Sequence, residues 1–194
     1  MSKIIKLKSL MLVVTSALFV MPSIAEDSPA DTCKSAASLF SEGDIEGALE
    51  EARWCVTQLE QLKQGQTSSF FKDEIDGYVG GKIESNQAMG FTVIERRYSK
   101  GGVSISVSLS GGASGAANNA FAAIASFGMQ AAQGKKVRIQ RRTAVVNDDN
   151  GSAQVVITMK SGGMLTFDSS ELSSDELVAF AKAFPVSELD DSRR

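Results

Sequence analysis

Side chains that commonly do covalent or acid–base chemistry are sparse in this sequence of 194 residues. Histidine is absent. That removes imidazole acid–base catalysis, the serine–histidine–carboxylate triad and imidazole-ligated metals. Serines are abundant, and a serine–lysine pair remains chemically possible, but no spacing marks one. Two carboxylate groups stand close in sequence, Asp73-Glu74-Asp76 and Asp148-Asp149. The first reads as a solvated or helix N-terminal face and the second as turn chemistry. Neither has calcium-loop spacing with glycine at the sixth position. Gly111-Gly112-Ala113-Ser114-Gly115 is glycine-rich, yet it lacks the Gly-Lys-Ser/Thr ending and the strand–helix context of a phosphate loop. Two cysteines, Cys33 and Cys55, are too few for a four-thiolate zinc site. The chain is therefore expected not to be an enzyme and to use no metal or cofactor.

Charge carries more information. Residues 26–95 have a net charge of −9, residues 96–142 of +8 and residues 143–194 of −5. The middle segment holds no acid and eight bases, among them Arg96, Arg97, Lys100, Lys136, Arg138 and Arg142. One explanation is internal, with basic strands paired to acidic neighbours. The other is a basic face for an anionic ligand or partner. Those six residues are the candidate partner- or anion-binding set. Arg96, Arg138 and Arg142 would share a face with Lys136 if strands 91–98 and 137–146 were neighbours. Nucleic acid is a poor fit, because the chain is acidic overall and only Tyr98 interleaves with the bases.

The elements that must position these charges follow from periodicity. Residues 1–25 read as a secretory signal peptide. Lys3, Lys6 and Lys8 precede an apolar run from Leu10 to Met21, and Ser23-Ile24-Ala25 supplies a small-residue cleavage site. A periplasmic or secreted destination follows, with cleavage near Ala25, and with it an oxidising compartment in which Cys33 and Cys55 pair. Residues 26–62 form a helical hairpin broken at Gly43-Asp44, with Asp44 as N-cap. Ala48, Ala52, Cys55, Leu59 and Leu62 form one apolar stripe on its second helix. The two cysteines sit nearly level across the antiparallel pair, so a disulfide here is a structural staple. Gly43-Asp44-Ile45-Glu46-Gly47-Ala48-Leu49 resembles the turn and second helix of a tetratricopeptide repeat. The likeness spans residues 33–62 and one unit only, so it implies a lone hairpin and no peptide-binding residues.

Residues 63–90 read as a linker anchored by Phe70, Phe71 and Tyr78. From residue 91 the apolar period changes to two. Strands are expected at 91–98, 103–109, 137–146, 153–159 and 164–168, and residues 147–151 form a hairpin turn. Ser173 and Glu176 make a capping box for a closing helix whose buried stripe is Leu177, Phe180, Ala181 and Phe184. The fold class is α+β: a disulfide-stapled helical hairpin, then a five-stranded antiparallel meander with helices on one face. The body spans 91–189, and 190–194 is a frayed tail. An uncharged run separates the basic clusters. Its second half, 114–133, reads as a helix that covers the sheet, self-associates or lies on a membrane surface.

An exported leader, a hairpin ending Arg53-Trp54-Cys55, a sheet opening at Gly90-Phe91, Lys136-Val137-Arg138-Ile139 and an end-piece from Leu172 to Leu189 occur in that order. The pattern resembles a group of uncharacterised exported proteins of Gram-negative bacteria. The resemblance implies a periplasmic location and no catalytic residues. The expected role is a non-enzymatic protein-binding or envelope-associated module, with another envelope protein or a second copy as partner. The alternative is a binder of anionic lipid or envelope glycan through 96–142.

Overall fold

The computed structural model describes residues 28–88, 91–112, 134–149 and 151–193. The leader and segment 114–133 lie outside the described residues, as does Asn150 in the turn. Two helices, α1 (Pro29–Glu42) and α2 (Ile45–Ser68), form the hairpin. Ser28 caps α1, accepting a hydrogen bond from the Asp31 amide. Gly43 ends α1 in the left-handed conformation (φ 87°), which costs glycine nothing. Asp44 then caps α2 by accepting from the Gly47 amide at 3.0 Å. Ala48 and Cys55 are buried between the helices, and Cys33 and Cys55 are joined, their Cα atoms 5.1 Å apart. A cross-link over 22 residues stabilises such a hairpin by about 3 kcal/mol in the chain-entropy model. Replacing both cysteines by serine should lower the urea midpoint of the hairpin. Trp54 fluorescence reads it, since Trp54 is the chain's one tryptophan and lies on α2. An unchanged Trp54 midpoint would remove the staple's energetic role.

The sheet has eight strands, not five. They are β1 (Glu74–Ile75), β2 (Tyr78–Ala88), β3 (Phe91–Lys100), β4 (Val103–Gly112), β5 (Lys135–Ile139), β6 (Arg142–Asp149), β7 (Ser152–Thr158) and β8 (Met164–Ser169). All neighbours are antiparallel, in the order β1-β2-β3-β4-β8-β7-β6-β5. Two four-strand meanders therefore meet at β4 and β8, rather than one continuous meander. Two misreadings account for the extra strands. Residues 63–90 are not a linker: α2 runs on to Ser68, and β1 and β2 follow. Residues 137–146 are not one strand either. Gln140 and Arg141 both have positive φ (47° and 63°), so they turn the chain as a two-residue hairpin loop.

One face of the sheet is apolar and the other mainly polar, with Val145 and Val156 among its apolar members. Ile94, Tyr98, Ile105, Val107, Leu109, Ile139, Ala144, Val155, Ile157, Leu165 and Phe167 form the core face. The intervening Ser104, Ser106, Ser108, Thr166, Gln154 and Thr143 face the other way, the alternation an antiparallel sheet with one covered face requires. Covering the core face are α3 (Ser174–Ala183) and α4 (Val186–Ser192). The capping box of Ser173 and Glu176 is present, and Ser173's hydroxyl and amide hold the Glu176 carboxyl below its ordinary value. Phe180 stands edge-on to Tyr78, Tyr98 and Phe167, and Phe184 to Phe71 and Phe167. The frayed-tail expectation for 190–194 fails at its first residue. Asp190 is fully buried, inside α4.

Candidate functional site

The six basic candidates do not make one surface. Lying third and last in the sheet order, β3 and β5 are not neighbours. Arg96 and Arg142 point into the protein. Arg96 alternates with Ile94 and Tyr98 on the core face and is buried. Its Nε donates to the Gly81 carbonyl (2.7 Å), Nη1 to Phe71 (2.5 Å), and Nη2 to Gly80 (3.2 Å) and the Asp73 carboxylate (2.7 Å). Every acceptor belongs to the stretch that leads into or forms β2. Register shifts between Gly80 and Ile83, so a bulge turns these carbonyls off the ladder. Arg96 satisfies them.

Arg142 performs the same kind of task at the other end. Its Nε donates to Asp190, its Nη2 to Asp191 at 2.8 Å and its Nη1 to the Gln140 carbonyl at 3.2 Å. Asp190 also accepts from the amides of Lys160 (3.0 Å) and Ser161 (2.8 Å). Burial raises its pKa, but the Ser161 amide, Arg142 and the Lys160 amide outweigh burial and hold it below the usual carboxylate value. Gln140 secures the same corner. Its amide nitrogen donates to the carbonyls of Lys182 and Phe184, and its amide oxygen accepts from Ser187. Two of the eight bases are thus used internally.

The remaining four are scattered. Lys100 donates to the Asp76 carbonyl at 2.9 Å and lies 5.2 Å from the Tyr78 ring centre. Lys136 and Arg138 are exposed on β5, the outermost strand, opposite Val145 and Thr143. Charges on an edge strand discourage pairing with other chains. The two-residue loop at 140–141 also separates Arg138 from Arg142. In a hairpin, 139 pairs with 142, so 138 and 142 fall on opposite faces.

Arg97 lies on the polar face, at a groove of about 550 Å³ with Ser104, Ser106, Asn147, Gln154 and Asp168. Several groups there already satisfy one another. Gln154 donates to Asp168 at 2.7 Å and Ser106 to Glu95 at 2.7 Å. Among the described residues no cluster of histidine, cysteine or carboxylates could hold a metal ion. Burial pushes the Tyr98 hydroxyl up to about 12, against the opposing pull of Arg96; at that value it stays protonated at neutral pH.

Most of the large exposed apolar side chains lie elsewhere, on the hairpin, with Val79, Phe91 and Val93 the exceptions on the sheet. Ile45, Leu49, Val56 and Leu59 are 53%, 45%, 53% and 49% exposed. With Ala52 they fall at spacings of 4, 3, 4 and 3 along α2, which places them on one stripe. Phe40, at the hairpin tip, is 66% exposed. The disulfide and the buried Ala48 and Cys55 mark the adjacent side of α2 as the one α1 covers, so this stripe is left exposed. Further along, Lys63 and Thr67 continue the same helical phase. There α2 meets the sheet: they line a small cavity of about 50 Å³ with Ile94 and Leu109, and Gln64 donates to Ser85. The stripe is docked at its end and free before it.

No protein-family model matches this chain, and neither a curated protein nor a solved structure does. The site rests on this geometry.

The stripe expected from the sequence is buried at Ala48 and Cys55 and exposed at Leu59 and Leu62. Ala48, Ala52, Cys55, Leu59 and Leu62 combine the α1-facing side with exposed positions, because α2 carries two overlapping apolar stripes about 60° apart that share Ala52 and Leu59. The second was visible as Ile45, Leu49, Ala52, Val56 and Leu59. Counting the apolar residues that one short partner helix cannot cover would have found it. No described helix is long and apolar enough to cross a membrane.

Proposed function

We propose that this chain is a non-enzymatic protein-binding module that acts after export, and that the free part of α2 is its binding arm. The observation that carries this reading is the uncovered stripe on a disulfide-stapled hairpin. Scattered exposed apolar residues are ordinary, but a contiguous stripe on a rigid arm resembles the faces that dock into partners. Covering Ile45, Leu49, Val56 and Leu59 contributes about 1 kcal/mol each, given that each is half exposed. The staple fixes the arm before binding, so little ordering entropy opposes association. The disulfide suits an oxidising compartment such as the periplasm. The basic segment plays no part in this reading. Arg96 and Arg142 are consumed internally, and the other four candidates lie apart.

A position-resolved crosslink tests it. A photoreactive residue at Leu49 or Val56 should give a discrete protein adduct in intact cells. The same residue at Glu50, off the stripe, should give little. Equal yields at Val56 and Glu50 would remove the arm from binding.

A further inference from the structure

We infer that the arm's partner is a second copy of this chain, with the two α2 helices antiparallel; this rests on the reading of α2 as a binding arm. Ile45, Leu49, Ala52 and Val56 have the alternating 4-3-4 spacing of a two-helix seam. The free section, Ile45 to Leu59, is about 22 Å long at 1.5 Å per residue. That is enough for two turns of each helix to interlock on either side of a symmetry axis.

The flanking residues select the orientation. On one flank of the seam lie Glu46, Arg53 and Glu60, seven residues apart. On the other lie Ala48, Cys55 and Leu62, uncharged, with Ala48 and Cys55 already packed against α1. A parallel pair sets one flank against the opposite flank, so the charges meet no charges. An antiparallel pair sets like flank against like flank, and Glu46 then faces Arg53 of the second copy. Symmetry makes that contact twice. The same register places Ile45 opposite Val56 and Leu49 opposite Ala52, so four apolar layers close together. Neither Glu46 nor Arg53 has an ion-pair partner among the described residues. Both are exposed and available.

The sheet does not obstruct this pairing. It meets α2 from about Glu60 onward. In the antiparallel register, Leu59 of one copy lies level with the hairpin turn of the other. Each sheet therefore sits beyond its partner's tip, where Phe40 adds an exposed ring. A closed, two-fold interface of this kind uses the same patch on both copies.

Sedimentation equilibrium on the purified, disulfide-bonded protein, from micromolar to submillimolar concentration, provides the test. The unmodified protein should be a dimer that dissociates on dilution, and Leu49→Glu should be monomeric. Glu46→Arg and Arg53→Glu should each weaken the dimer by about tenfold or more at low salt, and the double variant should recover most of that loss. These charge changes sit on exposed positions, so they keep the test valid even if Leu49→Glu disturbs the hairpin; circular dichroism checks each fold. A monomer at every concentration overturns the second copy as partner. So does a dimer indifferent to Leu49→Glu, or a double variant as weak as the singles. If the protein is monomeric while Val56 still crosslinks selectively in cells, only this inference fails. If selective crosslinking fails too, the binding arm goes with it.

Discussion

Asp190→Ala should cost about 3–5 kcal/mol of folding stability, the range for stripping one partner from a buried ion pair. Arg142 would remain buried with one exposed acid, Asp191, still in reach. The amides of Lys160 and Ser161 would also lose their acceptor. Urea denaturation at neutral pH measures the loss. A penalty under about 1 kcal/mol would place Asp190 among ordinary surface residues. Replacing both partners, Arg142→Met with Asp190→Leu, should be much milder, because nothing charged is then left without a counter-charge.

The same carboxylate sets a pH dependence whose sign is fixed. Its folded pKa lies below its ordinary value. The stability it contributes is therefore complete above about pH 4, the unfolded value. It disappears as pH falls through the lower folded value. The gap between the unmodified protein and Asp190→Ala should narrow on acidification below pH 4. A gap that widened there would contradict the depressed pKa.

That pair also explains why the C-terminus is ordered where its sequence resembles a tail. Asp190-Asp191-Ser192-Arg193-Arg194 is polar throughout, and local pattern makes it a tail. What buries Asp190 is Arg142, 48 residues away, and no local signal reports a partner at that distance. The β5–β6 turn was hidden differently. Two-residue hairpin loops usually advertise themselves with glycine or asparagine. Gln140-Arg141 does neither, and Gln140's hydrogen bonds to the α3–α4 junction hold the turn. In β2, Gly80-Gly81-Lys82 and Ser85-Asn86-Gln87 read as linker because the strand is poor in β-formers; its pairing with β3 and Arg96 supplies what propensity does not. By contrast, the hairpin, its disulfide, the Asp44 cap, the alternation in β4 and the Ser173–Glu176 box were all legible. Each depends on residues within a few turns, or on a cysteine pair with no other choice. The candidate site was legible only in part. Charge segregation drew attention to Arg96 and Arg142, which are structural, while the uncovered stripe on α2 depended on how far α1 reaches across.

Arg96→Met should also be severe, at about 3 kcal/mol. Three buried or partly buried carbonyls, of Phe71, Gly80 and Gly81, would lose a charged donor. Met keeps most of the side-chain volume, so the loss reads hydrogen bonding rather than a cavity. Gly80 provides the cross-check. A Cβ there would collide with the Arg96 guanidinium, so Gly80→Ala should destabilise the protein while Arg96 is present. In the Arg96→Met background the obstacle becomes a flexible thioether, and the same change should cost at least about 1 kcal/mol less. Urea midpoints of the four proteins close the cycle. Additive losses would mean that Gly80 and Arg96 act independently, and that the bulge in β2 is held by its own backbone. Coupled losses would identify Arg96 as the residue that turns a stretch resembling a linker into the second strand of the sheet. That strand borders β3, which in turn lines the seat of α2. Weakening Arg96 should therefore also loosen the base of the binding arm without touching its exposed stripe.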